Sequence, residues 1–189
     1  LKFTKNMIKS FLNYSVEELK QSNIKFGENV DIANNVIFHN PQNIFIGNNV
    51  RIDSHCLLIA GKHSKIVIGN NVHVGAGCYY YGNSGNIIID DNCTTSGGVF
   101  LYTASDDYTD GYMTNPTISN DYKKVDMGDI ILRKHTIVGS KTTILPHVVL
   151  DYATSVGAHS LVKESTNEFD IIAGVPAKFI KKRKNVFLS

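Results

Sequence analysis

The chain has 189 residues, 42% of them hydrophobic and 19% charged, which is the make-up of one ordinary soluble globular domain with a sizeable core. A formal net charge of +2 is too small to imply a nucleic-acid partner, and the basic residues gather only near the end. No apolar run approaches the ~20 residues that span a bilayer, so membrane insertion is not expected.

The opening stretch LKFTKNMIKSFLNYS has no continuous apolar core and no small-residue cleavage site, so it does not read as a signal peptide. In YSVEELKQ, Ser15 followed three residues later by Glu18 predicts a capping box that opens a short helix. Residues 1–22 are therefore expected to form an N-terminal helical cap.

A different period then takes over. The chain divides into hexads such as IFIGNN VRIDSH CLLIAG and IVIGNN VHVGAG CYYYGN, and resumes as IILRKH TIVGSK TTILPH. Of the eighteen third positions, from Phe26 to Val162, sixteen are Ile, Leu, Val or Phe, although these types make up only 57 of the 189 residues. A period of six fits neither a helix nor simple alternation; it is that of a hexapeptide β-helix. Gly often follows the inward aliphatic, and Asn pairs such as Asn48-Asn49 follow Gly; both tolerate the positive φ that a sharp corner needs. Cys56, Cys78 and Cys93 share one register, two residues before the inward aliphatic, and read as small core fillers of a reduced, cytoplasmic protein.

Extra residues follow only the hexads of Phe38, Leu58, Tyr80 and Leu101, the third in each group, and are two, four, three and twenty-five residues long. Three hexads make one triangular coil, so every insertion leaves the prism at the same edge. The expected fold is all-β, a parallel β-helix of about six triangular coils over residues 23–165, with one long loop at 105–129. Residues 166–189 supply a C-terminal cap, with a short apolar strand, a Gly-x-Pro turn and a basic segment expected to be helical. Such ends would cover the unpaired backbone of an open prism. A loop of this length inside a regular solenoid is expected to be functional.

IVIGNNVHVGAG, VGAHSLVKES and AGVPAKFIKKR resemble the left-handed β-helix acyltransferases that use acyl-CoA. YSVEELK, SDDY, NPTI and GVPAK look most like the bacterial N-acyltransferases of nucleotide-linked amino sugars, of the kind that makes anthrose. The resemblance runs from Tyr14 to Arg183. It implies a left hand for the coils and a cytoplasmic homotrimer in which acyl-CoA, as cosubstrate, and a nucleotide-linked deoxyamino sugar meet in clefts between prisms. The product would be destined for a surface polysaccharide, and no metal is required. Related sugar O-acetyltransferases carry a His in the equivalent loop as a base on a hydroxyl. This chain has Ser105-Asp106-Asp107-Tyr108 there and no His between His73 and His135. A neutral amine is already nucleophilic and needs chiefly to be held and aimed, which a carboxylate does.

Asp106 is the expected amine-binding or proton-accepting residue. Asp107, on the opposite side of an extended segment because side chains alternate there, is a candidate substrate-binding residue. Ser96, between Thr95 and two glycines, is the expected donor to the sugar amine or thioester carbonyl; otherwise it is a plain corner serine. Tyr108 and Tyr122 are candidates to stack on a nucleotide base, or to serve a subunit contact. The family's CoA surface lies along the last coils, here Gly139, Ser140, Gly157 and Ala158, with Lys163, Lys178, Lys181 and Arg183 toward the phosphates. His135, His147 and His159 are spaced by twelve and fall on three different corners, too far apart to share an ion; His135 stays as a fallback base. The competing readings are a sugar O-acetyltransferase using His135 and a non-catalytic binding module.

Overall fold

The computed structural model describes residues 13–184. Residues 1–12 and 185–189, assigned from sequence to the two caps, lie outside the described residues. Three parallel sheets form the faces of a triangular prism. The first face begins with Lys25–Phe26, the second with Asp31–Ile32 and the third with Ile37–His39, and each later coil adds one strand to each face. Phe26, Ile46, Ile68, Ile89, Leu132 and Leu150 stand in register up the first face, which is the hexad column seen in sequence.

Sixteen of the eighteen inward positions are buried. The exceptions, Phe26 and Phe38, belong to the first coil, beneath which no further coil lies among the described residues. Helix Val16–Gln21 covers that end: Ser15 and Glu18 form the expected capping box, and Leu19 is buried. The Tyr14 ring lies 6.5 Å from that of Phe38.

At the corners asparagine takes the expected positive φ, whereas the role of the glycine after the inward aliphatic differs from the expected one. Positive φ falls on the sixth position of the hexad, at Asn49, Asn71, Asn92, His135, His147, His159, Gly77 and Gly98. Asn29, Asn49, Asn71 and Asn92 form a ladder of side-chain hydrogen bonds of 3.0–3.1 Å up one edge. The glycines after the inward aliphatic serve close stacking instead: a Cβ on Gly47 would lie 2.6 Å from the carbonyl oxygen of Gly69. The three cysteines are buried, and each thiol donates to a carbonyl of the next coil, Gly75, Ser96 and Arg133, at 3.1–3.2 Å.

The C-terminal segment departs from expectation. Asp170–Gly174 continues the second face, parallel to Ser155–Val156, and Ala177–Lys182 returns as an antiparallel strand rather than a helix. The last coil presents open backbone donors and acceptors, and pairing with them outweighs the helical leaning of this basic stretch. Lys182 Nζ lies 2.7 Å from the buried carboxylate of Asp170, which fastens the hairpin. Among the described residues no helix is long and apolar enough to cross a membrane.

Candidate active site

The long insertion leaves where the third face ends. After strand Phe100–Tyr102, Ala104–Asp106 runs outward and pairs antiparallel with Val125–Met127, so the loop rises on a two-stranded stem. Asp106 lies opposite Val125. Lys123 is extended, at φ −128° and ψ 155°, and so shares the side of Val125 and Asp106. Asp107 and Lys124 belong to the other side.

Asp106 and Asp107 accordingly meet different fates. Asp107 is tied down: Lys124 Nζ lies 2.9 Å from Oδ2, and the N–H and hydroxyl of Thr109 bond Oδ1. The Lys124 ammonium, then the Thr109 bonds, hold the Asp107 carboxyl well below the usual range, and Asp107 in turn raises Lys124. Asp106 is half-buried, and its Oδ2 accepts one hydrogen bond, from the Asn115 N–H at 2.9 Å. It faces a cleft of about 490 Å³ whose lining includes Asn83, Ser84, Asn120 and Lys123. A second cleft of about 450 Å³ is lined by both Asp106 and Asp107, with Tyr108, Lys124, Pro146 and Lys163, so Asp106 borders both clefts. Tyr108 and Tyr122 are exposed on the loop, at 77% and 63%.

Ser96 stands elsewhere. It follows strand Thr94–Thr95 at the edge between the second and third faces, half-buried, whereas the loop leaves at the edge between the third and first. Above Ser96 on its own edge come Gly139-Ser140 and then Gly157-Ala158, so this serine heads a column of small residues. The stacking is tight: a Cβ on Gly139 would lie 2.5 Å from the Ala158 nitrogen. The structure thus joins Ser96 to four residues assigned to CoA, and joins Lys163 to the two aspartates. Lys178 and Lys181 are exposed on the terminal strand, and Lys178 pairs in register with Ala173, which packs on Gly157. Arg183 is turned away to the edge between the first and second faces, where Nη1 donates to the carbonyls of His135 and Ala153.

His135 lies on that same distant edge, edge-on to Tyr152 with ring centroids 5.3 Å apart, and lines neither cleft. The three histidines spaced by twelve occupy three corners, all at positive φ, where His is one of the residue types that accept it. Lys123, Asn115 and the Asn83-Ser84 wall went unmarked in the sequence. The side-chain parity that selects Asp106 also selects Lys123, once the pairing of the loop's two ends is known.

No family model matches the chain. It is 36% identical over 172 residues to the Escherichia coli dTDP-4-amino-4,6-dideoxy-D-glucose acyltransferase, covering 90% of this chain and 88% of the relative. It superposes with a TM-score of 0.87 and 40% identity on a variant of the Bacillus cereus N-acyltransferase AntD in complex with dTDP-4-amino-4,6-dideoxyglucose and coenzyme A, covering 92% and 91% of the two chains. Another structure of AntD, with dTDP and 3-hydroxybutyryl-CoA, matches at TM-score 0.85 and 41% identity over 91% of this chain and 90% of that one. With the hexads, the three-faced prism and the single long loop in place, this degree of likeness shows that the chain belongs to the hexapeptide-repeat, left-handed β-helix acyltransferases, in the group of acyl-CoA-dependent sugar N-acyltransferases.

Proposed function

We propose that the protein transfers an acetyl or other short acyl group from acyl-CoA to the amino group of a dTDP-linked deoxyamino sugar. The observation that carries this reading is the environment of Asp106: a half-buried carboxylate at the mouth of a cleft, bonded by one backbone N–H and by no cation among the described residues. Such a group suits an incoming ammonium.

Asp106 binds the sugar ammonium, accepts its proton and leaves the neutral amine aimed at the thioester. The neutral amine nitrogen attacks the carbonyl carbon and the Ser96 hydroxyl donates to the developing oxyanion. As the oxyanion collapses the C–S bond breaks, and the proton shed by the nitrogen passes to the departing thiolate, giving the amide and CoA thiol. The pantetheine lies along Gly139, Ser140, Gly157 and Ala158, whose small side chains let it approach the backbone. Lys178, beside this edge, and Lys163, on the loop edge of the neighbouring subunit, stand for its phosphates. The AntD structures with dTDP or a dTDP-sugar and CoA include variants at one serine and one aspartate ten positions apart, the spacing of Ser96 and Asp106 here.

Within one chain Ser96 and Asp106 lie on the two edges that bound the third face. A homotrimer with that face toward the threefold axis brings the loop edge of one prism against the Ser96 edge of the next. Four rings on the outer side of that face, Tyr79, Tyr81, Phe100 and Tyr102, are in mutual contact at 4.9–6.2 Å and suit burial between subunits. In this reading the reaction is cytoplasmic and its product serves a surface polysaccharide, as the family resemblance implies.

Mixed assemblies test this reading. Asp106→Asn and Ser96→Ala chains are each expected to be inactive alone and to regain a fraction of activity when co-assembled, because some clefts then hold both native residues. Failure of the mixture to exceed its parts would contradict the shared site.

A further inference from the structure

Lys123 differs from every other described lysine in being only half exposed, and among the described residues no carboxylate lies within ion-pair distance of it. It lines the same cleft as Asp106. Two opposite charges sharing one cleft would ordinarily close on each other. Here Asn115 stands between them: its N–H donates to Asp106 Oδ2 at 2.9 Å, and its carbonyl accepts from Lys123 Nζ at 3.5 Å. Asn115 has φ 97° and precedes Pro116, a wall of the cleft, so the spacer is set by the backbone. The cleft thus offers an anion and a cation held apart, with the amide and hydroxyl groups of Asn83, Ser84 and Asn120 about them.

We infer that Lys123 binds the phosphate attached to the anomeric carbon of the sugar while Asp106 takes the amine, so that the pair measures the distance between these two charges. This rests on the amino-sugar reading above and names the part of the substrate that the cleft selects. On a hexopyranose ring the substituents of the first and fourth carbons stand at opposite ends. An amine on the fourth carbon therefore spans the two charges, whereas one on the second or third brings its cation too near the phosphate. Asn83, Ser84 and Asn120 are left to meet the ring hydroxyls. Phosphate contact by an ammonium is a charge-assisted hydrogen bond, strong when no carboxylate competes for the cation.

The test compares wild type, Lys123→Gln and Lys123→Arg by calorimetric titration and steady-state kinetics. The ligands are dTDP-4-amino-4,6-dideoxyglucose, its 3-amino isomer and the phosphate-free methyl glycoside of the 4-amino sugar. For the dTDP-4-amino sugar, Lys123→Gln is expected to raise Kd and KM by about 10- to 100-fold, with acyl-CoA affinity unchanged and Lys123→Arg recovering part of the loss. On the methyl glycoside, wild type and Lys123→Gln should perform alike, and the 3-amino isomer should be the poorer substrate of the wild type. Unaltered KM and Kd for the dTDP-4-amino sugar in an otherwise active Lys123→Gln would overturn the inference alone. So would an equal loss on the phosphate-free sugar. Wild-type protein that neither binds nor acylates any of the three would instead overturn the amino-sugar reading, and this inference with it.

Discussion

The phenol oxygen of Tyr80 and the hydroxyl of Thr95 lie 2.6 Å apart in the middle of the prism. They are the only two of the eighteen inward positions that are not Ile, Leu, Val or Phe. The two exceptions are one feature: each satisfies the other in a core that has no water to offer. Burial pushes the Tyr80 phenol well above its ordinary pKa, so it stays protonated and able to donate. Thr95 precedes Ser96, whose carbonyl accepts from the buried Cys78 thiol, so this polar pair lies beneath the serine corner.

Thr95→Val strands the Tyr80 hydroxyl and is expected to destabilise the fold by about 1–3 kcal/mol. Tyr80→Phe leaves Thr95 a weak contact with Cys78 Sγ at 3.7 Å and should cost less. The double variant removes both polar groups and should be more stable than the sum of the single losses, read from denaturant midpoints in a double-mutant cycle.

Ala158 is exposed at the top of the small-residue edge, so a larger side chain meets solvent rather than the core. Ala158→Leu is therefore expected to leave the unfolding midpoint unchanged and to raise KM for acyl-CoA roughly tenfold, by filling the path of the pantetheine. Equal KM values would remove this edge from the cofactor site.

The Asp107–Lys124 pair ties the two ends of the loop together. A carboxylate whose pKa is lowered in the folded state contributes stability above its unfolded pKa and loses it only as pH falls through the folded value. The pair should therefore hold unchanged from pH 8 down to about the ordinary Asp value near 4. Protease cleavage within residues 108–122 should be slow and pH-independent across that window in wild type. At pH 7 it should be faster in Asp107→Asn.

Burial pushes the Cys93 thiol up to about 12. Cys56, Cys78 and Cys93 all point inward, so a thiol reagent is expected to find no reactive group in the native protein and three after denaturation. Rapid native labelling would show a more open core than the one described.

Sequence reading reached the prism because the inward column repeats every six residues, and burial leaves a compositional record at Ile46, Ile68 and Ile89 that needs no knowledge of contacts. The loop was visible as a break in the same count. What escaped was set by pairing between distant residues. The terminal hairpin depends on an open ladder at Ser155–Val156, which no local propensity in Ala177–Lys182 announces. Lys123 acquires meaning only when Val125 is laid opposite Asp106. Arg183, placed toward the phosphates by the family resemblance, donates instead to the carbonyls of His135 and Ala153. The role first given to glycine also shifted: corners need positive φ two residues later, at Asn and His, and the glycines after the inward aliphatic answer to coils packed too closely for a Cβ.

The central claim is that Asp106 handles the acceptor amine, and its most direct measurement is thiol release from acetyl-CoA with dTDP-4-amino-4,6-dideoxyglucose by wild type and Asp106→Asn. The account predicts turnover by wild type and a fall in kcat of roughly 10²- to 10⁴-fold in the variant, with CoA affinity preserved. An Asp106→Asn protein as active as wild type would contradict it.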